Sequence, residues 1–436
     1  MSGSRRRFLG QMTAAVAASA GLPRALAAAP ETRRRESRES LEDLRRILPQ
    51  VRVRDEAYWR VVREQFAVRD DLVMMNAANL CPSPRPVQQR VFELTRDVDG
   101  DVSFQNRGKF GGLATASREA LARLMGADAD EVAVVRNTSS ANATLVNGLD
   151  LGPDDEVLLW DQNHPTNNVA WDVRAARSGF SVRRVSTPPA PTTAEALLGA
   201  FAEALSPRTR VLSFSHVSNV SGVGLPAAEL CALAHESGAF AMIDGAQTFG
   251  ALQIDLHALG CDAYTGSAHK WLVGPKEAGL LYVRRAWHEA LWPTHVGVGW
   301  EGAVQAGARK FEVLGQRDDA AVAAVETTVA FHEMIGPAEV EMRVRQLAAA
   351  LRGGLREGVP GIRFHTPEAA ELSGGVVIFS LPGVTAHRPL FERLYEEYGI
   401  AGAPASGAFE GLRLCPHIYN TLDQIEHAVA AVASLA

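Results

Sequence analysis

The sequence predicts an α/β fold with a mainly parallel central sheet, helices on both faces of that sheet, and a smaller α/β domain at the carboxyl end. Three observations predict this fold. Short apolar runs bounded by polar or glycine residues alternate with helical patterns from about residue 72. Two long helical patterns begin near Asp318, and a chain of 436 residues that is 47% hydrophobic can bury a large core.

The composition excludes several classes of protein. With 22% charged and 7% aromatic residues, the chain is neither disordered nor collagen-like nor a coiled coil. Its 44 basic against 50 acidic residues leave no basic excess for binding nucleic acid. After residue 30, no apolar run approaches the roughly 20 residues of a membrane span. We therefore expect a globular protein with no nucleic-acid partner and no membrane span in its mature form.

The first 29 residues carry an export pattern. Arg5 and Arg6 precede an apolar pair, an alanine-rich stretch follows over residues 12–22, and small-x-small sites end at Ala27 and Ala29. This pattern resembles a twin-arginine signal peptide, with a disordered basic tail as the alternative. Cleavage after residue 29 leaves 40 basic and 50 acidic residues, a net charge of −10. We predict that the twin-arginine export machinery carries the folded protein to the periplasm or beyond.

The remaining chain divides into three predicted parts. Residues 30–71 form a linker and a helical arm, because Leu41, Leu44 and Leu48 recur at helical spacing. Residues 72–317 form the large domain. Its predicted strands are 131–135, 156–160, 210–214 and 240–243, and its helical patterns are 115–125, 167–178, 193–205 and 227–237. Residues 318–436 form the small domain, with helices to 334 and over 337–355, strands near 376–381 and 411–414, and a helix at 422–435.

Polar residues follow the predicted strands, where an open parallel sheet binds its ligands. Strand 131–135 leads to Thr138 and Ser139 at a helix start, which suits either phosphate binding or ordinary capping. Strand 156–160 leads to His164, whose imidazole suits either stacking on a flat ligand or a surface turn. Asp244 ends strand 240–243 and suits either a helix cap or a partner for a bound cation.

Lys270 lies in the apolar, glycine-flanked run 264–271. Burial lowers the pKa of a lysine and makes the amine a nucleophile. A nucleophilic lysine, an acid, a stacking ring and a phosphate cradle are together what pyridoxal 5′-phosphate (PLP) requires of a protein.

From about residue 70 to its end, the chain resembles the class V aminotransferase family of fold-type-I PLP enzymes. The supporting motifs are Ile-Asp-Gly-Ala-Gln at 243–247, Ser-Ala-His-Lys at 267–270, and His-Val-Ser-Asn at 216–219. The runs 270–276, 310–312 and 412–421 resemble the isopenicillin N epimerase-like branch. The resemblance implies chemistry at Cα of an amino-acid or peptide-like amino substrate, of the epimerase (isomerase) or aminotransferase (transferase) type.

The resemblance also implies a role for each matching residue. Lys270 binds the cofactor covalently, Asp244 pairs with its ring nitrogen, and His164 lies over its ring. The residues implied for the phosphate are Thr138, Ser139, Ser267 and His269, and those implied near the ring's 3′ oxygen are Asn219 and Gln247. Arg413 is the candidate for the substrate carboxylate, with a structural ion pair as the alternative.

The resemblance also implies a homodimer in which Gln316 and Arg317 reach the neighbouring subunit's site. Arg317 is equally well interpreted as an ordinary surface charge. No metal site is predicted, because the four cysteines form no C-x-x-C pair. Cys231 and Cys261 lie in apolar contexts and are predicted to be buried. An exported protein permits one disulfide, but the spacing does not establish it.

Two alternatives stay open. Cysteine desulfurases carry a catalytic cysteine in the segment that corresponds to residues 399–407, which contains none here. Cys415 lies on the following strand and is predicted to be structural, so a cysteine desulfurase or C–S lyase is the second choice. A degenerate PLP fold that serves as a binding module is the third. It would require one of the core residues to be missing, and all are present.

Overall fold

The computed structural model describes residues 41–48 and 55–436. The predicted signal peptide and residues 30–40 and 49–54 of the predicted linker and arm lie outside the described residues.

The centre of the protein is a seven-stranded sheet in the order β2-β8-β7-β6-β5-β3-β4. Its strands are β2 (Val132–Val135), β3 (Glu156–Trp160), β4 (Ser181–Val185), β5 (Thr209–Ser215), β6 (Phe240–Asp244), β7 (Ala263–Ser267) and β8 (Gly279–Val283). Strands β3 to β7 run parallel, whereas β8 is antiparallel to both of its neighbours. The predicted, mainly parallel sheet is thus confirmed, and each of the four predicted strands lies within a residue or two of its predicted bounds.

Helices cover both faces of this sheet, as predicted. The helices before residue 305 are α1 (Leu41–Ile47), α2 (Glu56–Arg63), α3 (Arg85–Gly100), α4 (Phe104–Arg107), α5 (Phe110–Met125), α6 (Thr138–Gly148), α7 (Pro165–Ser178), α8 (Ala194–Ala204), α9 (Ala227–Glu236), α10 (Leu256–Leu259) and α11 (Trp300–Val304). Side chains of β5 alternate between two apolar clusters, since Leu212 packs with α8 residues and Val211 packs with Leu145 of α6 and Trp171 of α7. Cys231 and Cys261 are buried in the first cluster, as predicted.

The carboxyl-terminal part combines long helices with a second sheet. The helices are α12 (Asp319–Ile335), α13 (Pro337–Gly358), α14 (Arg388–Tyr398) and α15 (Leu422–Leu435). The sheet has the order β12-β13-β10-β9, with β9 (Arg363–Phe364), β10 (Val377–Ser380), β12 (Ala403–Ala405) and β13 (Gly411–Leu414). A short parallel pair joins β1 (Val73–Met74) to β11 (Ile400–Ala401). Apolar residues of α13, α15 and this sheet form one cluster.

Helix α12 connects the two parts. Ser117 Oγ of α5 donates a hydrogen bond to the carbonyl of Val322 on α12, 2.7 Å away, and α12 shares an apolar cluster with the central sheet. The arm also packs into the interior, because Leu44 and Trp59 share a cluster with Trp271 and Tyr419. The predicted domain boundaries therefore stay predictions.

None of the helices in the described residues is both long enough and apolar enough to cross a membrane.

Candidate active site

Asp244 ends β6 at the middle of the central sheet, where it is in register with Ser215 on β5 and Thr265 on β7. Its carboxylate is almost wholly buried, at 3% exposure, and accepts hydrogen bonds from Asn142 Nδ2 and from the backbone N–H of Ala246, both at 3.0 Å. No ion pair joins it to any described residue. A buried carboxylate without a cationic partner is costly, so this position suits a cationic ligand group.

Lys270 follows β7 on a tight turn that the backbone N–H of Val273 closes by donating to the Lys270 carbonyl at 2.9 Å. Burial lowers the pKa of the Lys270 amine from its ordinary value; the charge of Asp244 raises it in part, and that of Arg413 lowers it further. The environment therefore favours the neutral, nucleophilic form of the amine.

The turn that carries Lys270 is strained and firmly held. Val273 has a φ of 54°, a left-handed conformation that β-branched residues rarely adopt. Two buried histidines donate to carbonyls of this turn, His417 Nε2 to Trp271 at 2.7 Å and His332 Nε2 to Leu272 at 2.9 Å. Strain of this kind persists only where the surroundings impose it, as they do here.

His164 caps α7, where its Nδ1 accepts a hydrogen bond from the Thr166 N–H at 3.2 Å. Burial lowers the pKa of His164, and the positive charges of Lys270 and Arg413 lower it further. The negative charge of Asp244 raises it in part. These interactions place His164, Lys270, Asp244 and Arg413 within electrostatic reach of one another. The lowered pKa favours the neutral imidazole, which suits a stacking role.

Two of the residues predicted to bind phosphate contact each other directly. Ser267 Oγ accepts from the Thr138 N–H at 2.9 Å and shares a hydrogen bond with the Thr138 hydroxyl at 2.7 Å. Ser139 is exposed on the first turn of α6. The Nδ1 atom of His269 is buried and has no hydrogen-bond partner among the described residues. These groups together leave polar capacity for an anion at the start of α6.

Arg413 extends from β13 toward the same site. Its Nη1 donates to the carbonyl of Asn219 at 3.0 Å and its Nη2 to Asn76 Oδ1 at 3.2 Å, while its buried Nε has no partner among the described residues. No described carboxylate pairs with it, so the structural ion pair considered as an alternative is absent from the described part of the chain. The charge of this guanidinium remains available to an anionic ligand.

Asn219 and Gln247 lie at the edge of the site. Asn219 contributes its carbonyl to Arg413. The Gln247 amide accepts from Trp271 Nε1 at 2.9 Å and donates to the carbonyl of Ala78 at 3.0 Å, so it fixes the residue beside Lys270. Their contact with a 3′ oxygen stays a prediction.

The pair predicted to reach a neighbouring subunit contacts its own chain here. Arg317 Nη1 donates to the carbonyl of Val134 at 2.7 Å, and Gln316 Oε1 accepts from Arg107 at 2.8 Å. A role for either residue in a second site stays a prediction.

The sequence reasoning gave no role to Asn142, Thr265, Asn76, His332 or His417, all of which the structure connects to the site. A signal existed for Asn142, since it lies one helical turn after Thr138 and on the same face of α6. The histidines carried no such signal, because their contacts depend on packing between distant segments.

One cluster of side chains that could bind a metal ion lies outside this site. Ligand atoms of Asp128, Glu131 and His257 lie within 4.8 Å of one another. They already have protein partners: His257 bonds Glu131 at 2.6 Å, and Arg285 pairs with Asp128 at 2.8 Å. We assign no metal to this cluster.

The chain is similar to known proteins over most of its length. The profile of the family described as Aminotransferase class-V matches residues 76–425. The isopenicillin N epimerase of Streptomyces clavuligerus is 31% identical over 396 residues, which cover 87% of this chain and 98% of the relative. A probable cysteine desulfurase of Vibrio cholerae serotype O1 is 31% identical over 297 residues, 64% of this chain and 70% of the relative. The cystine C–S lyase C-DES, solved with glycine covalently linked to its PLP cofactor, has a TM-score of 0.79 and 25% identity, covering 85% of this chain and 98% of that chain.

Proposed function

The chain belongs to the class V aminotransferase family, and from this premise we propose that it is a PLP-dependent enzyme acting at Cα of an amino-acid or peptide-like amino substrate, as an epimerase or an aminotransferase. One observation carries the proposal: a lysine whose pKa is lowered by burial lies within electrostatic reach of a buried carboxylate that forms no ion pair with any described residue. PLP is the ligand class that needs both groups together.

The described residues fit this cofactor. The carboxylate of Asp244 suits a protonated ring nitrogen, and the unpartnered Nδ1 of His269 suits a phosphate oxygen, together with Thr138, Ser139 and Ser267. Lys270 would bind PLP covalently. When bound, PLP supplies the electron sink that weakens bonds at Cα of an attached amino group.

Residues of the chain would bind the substrate, transfer the proton and cover the cofactor ring. Arg413 would bind the substrate carboxylate, because its charge is unpaired in the described part of the chain. The lowered pKa of Lys270 favours its neutral amine, which suits removing and returning a proton at Cα. The neutral imidazole of His164 suits a cover over the ring face.

The similarity to an isopenicillin N epimerase covers 98% of that relative and supports chemistry at Cα. Which reaction of the family this chain catalyses is our proposal. All four cysteines are buried, and burial raises the pKa of Cys81 and Cys231 to about 12. Burial also raises the pKa of Cys415, so a persulfide-accepting thiolate is disfavoured. Cysteine desulfurase is therefore the less supported activity.

A C–S lyase is the second candidate, and the similarity to C-DES favours it. Cleavage of a C–S bond at Cβ by a lyase would use the same lysine and carboxylate, and it would not require an exposed cysteine. The buried cysteines therefore do not argue against it.

The deciding experiment combines spectra with products. We expect the purified enzyme to absorb visible light through lysine-bound PLP and Lys270→Ala to lose that band. A panel of amino acids, amino-terminated peptides and cystine would then be tested for deuterium uptake at Cα in heavy water, for keto-acid formation and for release of sulfur. Deuterium uptake or keto acid without sulfur supports the proposal. Sulfur release from cystine without deuterated substrate supports the lyase, and a colourless wild-type protein that takes up no PLP would defeat both.

Sulfide release from cysteine by Cys415→Ser tests the desulfurase, with Cys231→Ser as the matched control because both thiols are buried. Rapid wild-type release that disappears only in Cys415→Ser would replace our assignment with the desulfurase. Slow release unaffected by either change would be a side reaction of the cofactor.

The protein's assembly and location belong to the same proposal. The family resemblance supports a homodimer with Gln316 and Arg317 near the partner's site. The Arg5-Arg6 pattern supports twin-arginine export of the loaded enzyme to the periplasm, although these residues lie outside the described part of the chain. Replacing Arg5 and Arg6 with lysine should hold the precursor in the cytoplasm; periplasmic accumulation of that variant would contradict the export proposal.

A further inference from the structure

A chain of three buried polar side chains leads from the central sheet to Asp244. Thr265 Oγ1 on β7 donates to Asn142 Oδ1 on α6 at 2.8 Å, and Asn142 Nδ2 donates to Asp244 Oδ2 on β6 at 3.0 Å. All three residues are at most 5% exposed. Three separate elements thus meet at the side chain of Asn142.

This contact fixes which way the Asn142 amide points. If the amide were reversed, its oxygen would face a buried carboxylate oxygen, and both atoms would be acceptors. Thr265 can donate to the amide oxygen only in the observed orientation. The oxygen and the nitrogen of the amide therefore have one matching partner each, and the nitrogen donates its hydrogen bond to Asp244.

The hydrogen bond also restricts the carboxylate of Asp244. Its two oxygens accept one bond each, from Asn142 on one side and the Ala246 N–H on the other. Inside a protein such hydrogen bonds are stronger than in water. The two donors therefore hold the carboxylate in one direction.

We propose that Asn142 is a positioning residue: its amide, oriented by Thr265, holds the Asp244 carboxylate fixed in direction for the protonated ring nitrogen of PLP. The inference rests on the proposed function, since it assumes that PLP is the ligand. Asn142 itself acts through Asp244 and need not touch the cofactor.

The test uses Asn142→Leu, which keeps the approximate size of the side chain and removes the donor. The holoenzyme would be reconstituted with PLP labelled with ¹⁵N in the ring, and the nitrogen chemical shift would report the ring's protonation. The pH midpoint of the visible band of lysine-bound PLP is a second readout. A positive ring disfavours protonation of the nearby lysine–cofactor linkage, so weaker ring protonation should raise that midpoint by about one pH unit.

The matched control is Asn147→Leu. Asn147 lies on the same helix, its amide donates to the Ala143 carbonyl at the exposed surface, and it has no contact with Asp244. We expect this control to keep the wild-type shift and midpoint. Equal values in wild type, control and Asn142→Leu would overturn the inference while leaving the proposed function intact.

Thr265→Val is the second test variant, for use if Asn142→Leu does not fold or does not retain the cofactor. Valine keeps the shape of threonine and leaves the Asn142 nitrogen in place, but releases the oxygen of its amide. A smaller change in the same direction supports the positioning role, whereas a wild-type spectrum would contradict it. Failure of the wild-type protein itself to bind PLP would instead reject the proposed function.

Discussion

Asp244 shows how burial without a counter-charge can mark a functional residue. Its neighbours supply hydrogen bonds but no described ion pair, whereas other buried acids such as Asp262 form ion pairs, here with Arg284 and His235. Buried charges are normally paired. The difference separates a structural acid from one whose partner is expected to be a ligand.

Asp244→Asn tests this distinction. Asparagine is as good a helix cap as aspartate, so a purely local role would survive the change. The amide cannot stabilise a proton on the ring nitrogen, so we expect PLP to remain attached through Lys270 while deuterium uptake at Cα falls about a hundredfold or more. Exchange at nearly the wild-type rate would show that Asp244 only supports its own turn.

Arg413 allows a second prediction, on pH dependence. Its positive charge is one cause of the lowered pKa of Lys270, after burial. Removing that charge in Arg413→Gln should raise the pKa of Lys270, so less neutral amine is present at a given pH. We therefore expect the pH midpoint for attachment of added PLP to the apoprotein to move upward. Arg136→Gln is the control, because this exposed arginine does not affect Lys270; a midpoint shared by both variants would contradict the prediction.

At this scale the sequence predicts the residues that carry a motif and misses those that act through packing. Asp244 and Lys270 were predicted from a motif in which 26 positions separate them. His417 and Asn76 were not, because nothing near them in sequence indicates that they contact Trp271 and Arg413. Such contacts depend on the relative placement of β13, β1 and the loop after β7, which a single sequence does not specify.

Among the elements, the turn after β7 is the one whose shape matters most to the site. A glycine also permits close packing between the end of β6 and β7: a Cβ at Gly245 would lie 1.9 Å from the ring of Tyr264, whose hydroxyl bonds Thr248 at 2.7 Å. The left-handed Val273 and the donors from His332 and His417 then fix the direction in which Lys270 leaves the turn.

The two histidines give the turn a pH dependence. Burial lowers the pKa of His417 from 6.5 to about 3 and that of His332 to about 4. A histidine with a lowered pKa contributes stability above pH 6.5, and that contribution is lost as the pH falls toward the folded value, because only the unfolded chain takes up the proton. In His417→Gln one such group is gone. We expect its free energy of unfolding to fall by about 2 kcal/mol less than that of wild type between about pH 6.5 and about pH 5.

Urea unfolding at both pH values measures this difference. His427→Gln is the control, because its imidazole is exposed and bonds only the Tyr398 carbonyl. Parallel losses of stability in wild type and His417→Gln would show that the buried histidine does not contribute to acid sensitivity.

Several strands and helices were predicted from a clear apolar period, whereas strands β4, β7 and β8 were missed. Strands β3 and β6 match because they are short apolar runs with polar ends. Strand β4 reads Ser-Val-Arg-Arg-Val and has two exposed residues, which is typical of an edge strand and hard to distinguish from a loop. Strand β8 is apolar throughout, but its antiparallel direction depends on the pairing with β2 and β7 rather than on its own residues.

On the scale of the whole molecule, the site draws on distant parts of the chain. Asn76, from the segment after β1, and Arg413, from β13, are 337 positions apart and share a hydrogen bond. The parallel pair β1–β11 and the packing of the arm against Tyr419 hold these segments together. A change in the position of the carboxyl-terminal sheet would therefore move Arg413 relative to Lys270, which lies on the turn after β7 of the central sheet.

The last prediction concerns sharing of sites between two subunits. If Arg317 serves the partner's site, a dimer of one Lys270→Ala chain and one Arg317→Ala chain contains one site with both residues intact. Random mixing makes half of the dimers hybrid, so we expect about a quarter of wild-type activity from two variants that are each nearly inactive. The contact of Arg317 with the carbonyl of Val134 in its own chain provides the opposite expectation, a role within one subunit. The activity of the two variants refolded together is compared with their activity refolded separately. The control is a mixture of Arg136→Ala and Lys270→Ala, which should give only the activity of its Arg136→Ala chains. Mixing that restores nothing would place Arg317 in its own subunit's structure and remove the argument for shared sites.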